Sequence, residues 1–219
     1  MAAFTPQPQN ITYSAPSSET LTHFSSHTWL APLLADNSLT PIGTFSRQPK
    51  TSSTEDSFIS RTLSTPTTIP FWQSYYRPPQ KPTKETPRTT TSSAPAPTTG
   101  TALSLLSLST GLDGHPSIAH GGLLSALLDE AMAIVAYIHL PAGKDVYTAY
   151  INVRFVRPVE TPGAVVLRAW IEERSAGRKM WVRACVEGEG GVSVEGAGLF
   201  IVRDRAGSAV GGGAIKAKL

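Results

Sequence analysis

The chain of 219 residues contains a single cysteine, Cys185, so no disulfide can form within it. That favours a reducing compartment. Cys185 lies in the alternating stretch "WVRACVEG", where a core thiol is expected rather than a nucleophile. Charge is scarce as well: 16% of residues are charged, the net charge is +3, and no basic stripe interleaves with aromatics. This excludes a nucleic-acid-binding protein and leaves a mild basic bias that suits a partner carrying phosphates. No run reaches the roughly 18 apolar residues of a membrane span without an acid in it, so no span is expected. The first 20 residues hold neither Lys nor Arg nor a continuous apolar core, unlike a secretory signal or a transit peptide. The default location is cytoplasmic, with a mitochondrial one left open. Also missing are a GxxxxGK[ST] phosphate loop, a GxSxG elbow, a CxxC pair and any internal repeat.

What is present divides unevenly. Of the 18 prolines, 14 precede Thr101. Residues 1–19 read as a disordered N-terminus, and 78–100, "PPQKPTKETPRTTTSSAPAPTTG", as a low-complexity linker with too little apolar surface to offset the entropy of ordering. Between them, 20–77 carries apolar content. Ser53-Thr54-Glu55-Asp56 ahead of "SFISRTL" is a helix-start pattern, and Phe71, Trp72, Tyr75 and Tyr76 form an aromatic cluster. This segment reads as short helices docked on the main domain, the alternative being an independent partner-binding arm.

Residues 101–205 read as one domain, followed by a flexible tail over 206–219. "TALSLLSLST" looks like a strand. "IAHGGLLSALLDEAMAIVAYIHL" (118–140) is too long for one and predicts a helix of about 20 residues, apolar on every face and so buried on every face. Four strand-like runs follow: "VYTAYINVRFV", "GAVVLRAWIEER", "RKMWVRACVEG" and "VSVEGAGLFIVR", separated by turn residues. One such helix followed by a long antiparallel meander implies an α+β fold with the sheet wrapped about the helix.

The chemistry concentrates on that helix. Near His120 its first turn leaves backbone N–H groups without partners, and Gly121 and Gly122 let a ligand oxygen approach them. This is the physical form of an oxyanion hole, although the same glycines also permit tight helix-to-sheet packing. Asp129 is an acid in the middle of a buried helix, so it must be paired, neutral or functional. No Lys or Arg occurs between Ile118 and Leu140 to neutralise it. Glu130 points about 100° away round the helix and is expected to make a structural ion pair or hydrogen bonds. Asp129 lies eight residues after Gly121, about 12 Å along the axis and too far to act on a carbonyl held there. A two-fold dimer with these helices antiparallel brings Asp129 of one subunit to Gly121 of the other.

Three ordered stretches, "GHPSIAHGGLLSALLDEAM", "TAYINVRFVRPVETPG" and "GRKMWVRACVEGEGGVSVEGAGLFI", make residues 103–203 resemble the hotdog-fold thioesterases, on the PaaI-like and mitochondrial acyl-CoA thioesterase branch. The nine-residue spacing from His120 to Asp129 and the series Thr148, Asn152 and Arg157-Pro158 fit that family. The Pro-rich leader lies outside the shared domain and is of the kind found in filamentous-fungal members. The resemblance implies a hotdog fold, dimerisation by sheet extension and hydrolysis of acyl-CoA-like thioesters without metal or redox cofactor. It implies that Gly121 N–H polarises the carbonyl and that Asp129 of the partner subunit acts as general base or nucleophile. Thr148 positions the water or the acid, and His120 shapes the pocket. Gly122 and Asn152 are carried as substrate-binding positions. Some relatives place an Asn or Gln six residues before the histidine. Here that residue is Gly114, and Ser117 and His115 are the candidate replacements.

Arg154, Arg157, Arg178 and Lys179 are candidates for the coenzyme phosphates, against a plain solvated strand face and turn. His23 and His27 stand four apart but lack the further ligands of a metal site and read as surface residues. The expected partner is an acyl-CoA or other acyl thioester, with a homodimer or homotetramer as the assembly. The alternative is a non-catalytic acyl-CoA-binding or partner-docking protein.

Overall fold

The structure is a computed structural model that describes residues 8–79 and 99–205. In chain order its elements are α1 (Ser18–Ser25), a 3₁₀ turn (Thr28–Leu30), α2 (Ala31–Leu34) and β1 (Thr40–Ile42). A second 3₁₀ turn (Phe45–Arg47), a π-type turn (Phe58–Thr62), β2 (Trp72–Arg77) and β3 (Thr101–Leu108) follow. Next come a 3₁₀ turn (Thr110–Leu112), the short strands β4 (Asp113–His115) and β5 (Ile118–Ala119), and helix α3 (Gly121–Ile138). The described residues close with β6 (Lys144–Phe155), β7 (Gly163–Ile171), β8 (Lys179–Gly188) and β9 (Gly191–Asp204).

By length and composition α3 is apolar enough to cross a membrane. Here Leu127, Leu128, Met132, Val135 and Ala136 are instead fully buried against the sheet. The seven-stranded antiparallel sheet has the order β1-β2-β3-β7-β8-β9-β6 and wraps this helix. Gly196 of β9 permits the close approach: a Cβ there would lie 2.7 Å from Met132 Cε and 3.2 Å from Leu128 Cδ1. The expectation that α3 is buried all round is corrected. Gly122, Ala126, Asp129 and Ala133, spaced at helical intervals, form a stripe that keeps partial exposure.

The short helices expected over 20–77 are only part of what forms there. The aromatic cluster is a strand, as its β-favouring residues allow: β2 pairs with β3 from Trp72↔Leu106 to Arg77↔Thr101, and β1 adds a further strand outside it. The segment is therefore built into the sheet rather than an independent arm. The helix-start pattern at Ser53 yields only the single π-type turn. α1 and the first 3₁₀ turn cover the outer face of the sheet, where Phe24 and Leu30 pack with Tyr75, Leu103, Leu105 and Val166. On the inner face Ala102, Leu106 and Leu108 pack toward α3. All eight residues of β3 are buried because both faces are covered, which is why it reads as an almost unbroken apolar run.

Residues 8–19, expected to be disordered, are ordered. Asn10 Nδ2 donates to the carbonyls of Tyr137 and Leu140, each at 2.8 Å, and Gln9 N–H donates to Ile138 O at 2.8 Å. These bonds satisfy carbonyls that the C-terminus of α3 leaves without intrahelical donors. A second seam joins β2 to the same end. His139 is buried, its Nδ1 lies 2.9 Å from Val135 O, and its Nε2 lies 3.1 Å from Tyr76 Oη. A proton on Nδ1 lets the Tyr76 hydroxyl donate to Nε2, and burial lowers the His139 pKa in favour of this neutral ring. The expectations for residues 1–7, for the linker interior 80–98 and for the tail after Arg205 lie outside the described residues.

Glu130 points from α3 into this extension. Ser46, fully buried, donates its hydroxyl to Glu130 Oε1 at 2.5 Å. Burial pushes the carboxyl up to about 7, and the nearby Asp56 and Asp129 add to the rise while the Ser46 bond opposes it.

Two outcomes follow. Leu30→Ala should lower the unfolding free energy of the whole chain by about 2–5 kcal/mol, as for other buried leucines. A denaturant titration showing no change would mean that the extension adds nothing to the fold. The raised Glu130 pKa means that the folded state holds this proton more tightly than the unfolded chain does. Its contribution is full below the unfolded value of 4.5 and is lost as pH rises towards about 7. Melting temperature measured against pH should therefore fall across that window in the wild type relative to Glu130→Gln. Parallel curves would contradict this.

Candidate functional site

The chain enters α3 through a strained approach. Ser117 has φ +57, and the segment after it pairs with 159–161 through Ala119 N–H to Val159 O (2.9 Å) and Thr161 N–H to Ser117 O (3.0 Å). Asp113 braces the turn, accepting from Ser117 N–H at 3.1 Å and from the Thr161 hydroxyl. His120 is the N-cap of α3, and its Nδ1 accepts the N–H of Gly122 at 2.9 Å. Gly121 is the first helical residue, so its N–H has no acceptor within the helix. Gly114 packs on this cap: a Cβ there would lie 2.9 Å from His120 Cα and 3.0 Å from its Cδ2. Position 114, where the resemblance led to an amide side chain being expected in some relatives, thus has no room for one here, because His120 takes the space.

Two turns further along, Asp129 is half-buried and faces β6. Thr148 Oγ1 donates to its Oδ1 at 2.8 Å. Burial raises the Asp129 pKa, and the Thr148 bond partly offsets the rise. The raised pKa makes this carboxylate a stronger base than an exposed aspartate. Its Oδ2 is left to meet water or ligand.

Around Gly121 lies an open cleft of about 360 Å³, walled by Ile118, Leu124, Phe155, Val156 and Val159. Phe155 lies directly over the glycine: its Cζ is 3.3 Å from where a Gly121 Cβ would stand. The importance of Phe155 was not visible in the sequence, where it is one apolar residue in an alternating strand. Thr148 and Phe155, both on β6, thus serve the middle and the N-terminal end of α3.

The remaining sequence candidates are placed otherwise. A β-bulge between Thr148 and Tyr150 inserts one residue into β6 and reverses its inward-outward parity. Ile151 and Val153 consequently face the core, and Asn152 lies between them on the outer face, away from Asp129. Arg154 shares that outer face and is ion-paired with Glu195 at 2.5 Å. Arg157 donates to the backbone carbonyls of Gly190 and Val192, clamping the β8–β9 hairpin. Arg178 Nε donates to Val202 O at 3.3 Å, and Lys179 is exposed at the start of β8. The group brought together is therefore His120, Gly121 and Gly122 at one end of α3, and Asp129 and Thr148 at its middle. His23 stacks on Phe71 with ring centroids 4.4 Å apart and meets His27 edge-on. Cys185 is buried, and burial pushes its thiol far up, so it is inert as a nucleophile.

Comparison with known proteins matches this region. A family model described as "Thioesterase superfamily" covers residues 117–193. The acyl-coenzyme A thioesterase THEM5 of Mus musculus is 36% identical over 62 residues, which is 28% of this chain and 24% of that protein. The match therefore spans about a quarter of that relative's length. Among solved structures, a thioesterase from Haemophilus influenzae aligns with a TM-score of 0.45 and 20% identity over 49% of this chain and 75% of that one. A Bacillus halodurans protein crystallised with CoA aligns with a TM-score of 0.42 and 25% identity over 46% and 70% respectively. Residues 117–193, running from the approach to α3 into β9, match the thioesterase superfamily, and the antiparallel sheet wrapped about one long helix is the hotdog fold.

Proposed function

We propose that the protein is an acyl-CoA thioesterase, hydrolysing a thioester to a carboxylic acid and a free thiol. The observation that carries this reading is the Asp129–Thr148 pair: a desolvated carboxylate held by a hydroxyl, set in a helix whose first N–H has no acceptor. The thioester carbonyl oxygen accepts from Gly121 N–H. Asp129 takes a proton from a water whose oxygen attacks the carbonyl carbon, and the oxyanion that forms is held by that N–H and the helix dipole. Collapse breaks the C–S bond. The proton held by Asp129 passes to the leaving sulfur, and the acid product releases its own proton to solvent. Thr148 fixes the carboxylate rotamer so that the free oxygen faces the water.

Within one chain Asp129 and Gly121 are about 12 Å apart along the helix, so the site requires a second copy. Strand β6 ends the sheet and exposes Tyr147, Tyr150 and Phe155, an edge suited to pairing. An antiparallel β6–β6 pair about a two-fold axis midway between Thr148 and Phe155, near Ile151 and Asn152, lays the Asp129 of the partner subunit against Gly121 and Phe155. The stripe of small residues on α3 leaves room for the second helix alongside.

Asp129→Asn should reduce thiol release from acyl-CoAs about 100-fold or more with the fold intact, the scale of a lost general base. Equal activity in the mutant would move the chemistry elsewhere. Gly121→Pro tests the other end. Proline suits the first position of a helix, and His120, at φ −63 and ψ 131, is already in the extended conformation that a residue before proline needs. The change removes the one N–H and should lower kcat about 100- to 1,000-fold. Mixing the two inactive variants under subunit exchange should restore about a quarter of wild-type activity, because half the dimers are mixed and each has one intact composite site. No recovery would mean that each site lies within one subunit.

A further inference from the structure

A second cleft, of about 460 Å³, lies on the other side of the ridge Arg157–Pro158–Val159 that walls the first. Its far wall comes from the N-terminal extension, through His27 and Trp29, and Glu160 and Glu189 also line it. The ridge is common to both clefts, so a ligand crossing it reaches the Gly121 site at one end and the extension at the other.

The linings differ in chemistry. The first cleft is walled by Ile118, Leu124, Phe155 and Val156, which suits a carbonyl carried on an apolar chain. The second is lined by Trp29, Pro158 and Pro162 beside the carboxylates of Glu160 and Glu189, and the Arg157 guanidinium on its ridge has its N–H groups directed to the Gly190 and Val192 carbonyls. Carboxylates repel phosphate but accept hydrogen bonds from N–H groups. The ligand group this matches is neutral, flat and N–H-bearing, and an adenine ring with its amino group has all three properties. An acyl chain is neither flat nor N–H-bearing, and a phosphate has the wrong charge. Both walls are held before any ligand arrives. Trp29 is half-buried and packs on the cluster of Phe24, Leu30 and Leu105, and the hairpin opposite is clamped by Arg157. A fixed indole loses little entropy on stacking.

We propose that this second cleft binds the coenzyme arm of the thioester, with Trp29 stacking on the adenine and the carboxylates of Glu160 and Glu189 accepting from its amino group. The phosphates stay in solvent. This rests on the thioesterase reading and adds that the extension, which lies outside the matched span, is part of the substrate site.

The test compares two thioesters of the same acyl group, one of CoA and one of N-acetylcysteamine, which lacks the nucleotide. In the full chain, Trp29→Ala should raise KM for the CoA ester about tenfold, the scale of one lost base–aromatic stack, with kcat held. KM for the N-acetylcysteamine ester should stay unchanged, and Trp29→Phe should restore most of the loss. An equal change on both esters, or none on either, overturns the proposal. Free adenosine gives a readout on the wild type, where folding of a variant is not at issue. It should compete with the CoA ester, and calorimetry should detect its binding. If the wild type turns over neither ester, the thioesterase reading fails while the adenosine titration still decides the cleft: binding that is lost in Trp29→Ala supports it, and no binding to the wild type removes it.

Discussion

An apolar helix that carries two adjacent carboxyls can be buried only if each carboxyl is given a partner, since an unpaired acid in a core is expensive. In α3 the 100° step between neighbours sends the two acids to different surroundings. Asp129 meets a hydroxyl from β6, and Glu130 meets one from the turn Phe45–Arg47 of the extension. Burial raises both carboxyls, but the consequences diverge. Glu130 lies under the extension, bonded to Ser46, and serves its attachment. Asp129 keeps a face toward the open edge of the sheet, where a desolvated base is of use. Much of the architecture is the means of supplying these two hydroxyls.

The extension also sets the asymmetry of the sheet. It adds β1 and β2 beyond β3, covers the outer face over β3 and β7, and caps the C-terminus of α3 with Asn10. One end of the sheet is thereby closed by the chain itself. The other end, β6, is twelve residues long and carries exposed aromatics. An edge of that kind is normally shielded or paired. The proposed dimer pairs it, and the same contact closes the 12 Å gap between the proposed base and the proposed oxyanion donor. The need for an edge partner and the need for a second active-site fragment have one solution.

The domain core was legible because its signals are periodic and local: a long apolar run flanked by Gly-Gly, then four alternating segments divided by turn residues. The strands fall where that alternation places them. The extension was not legible in the same way. "FWQSYY" has no local mark distinguishing a docking element from a strand, and its partner, β3, lies beyond a Pro-rich stretch that suggests separation. Its pairing is a long-range fact. Asn152 illustrates a subtler limit. Counting by twos from Thr148 puts it on the inner face, but a single bulge at Ala149 shifts the phase. A bulge is decided by hydrogen bonding with the neighbouring strand, so spacing within β6 alone could not reveal it. Arg157 looked like a phosphate ligand by residue type, whereas its fork is filled by carbonyls of a hairpin more than thirty residues away.

The "HGG" triplet was read as two glycines that open an anion site, with the histidine beside them. The geometry makes it one device. A helix N-terminus offers several N–H groups, and an oxyanion needs a particular one. His120 takes the Gly122 N–H through Nδ1, while the Gly121 N–H, at the cleft, has no acceptor within the helix and is the donor in the proposed reaction. The ring can adopt this position because Gly114 has no side chain to oppose it. The absence of a side chain at position 114 and the cap that holds the Gly122 N–H are two sides of one packing choice. The cost of that choice is dependence on a single backbone donor and the helix dipole.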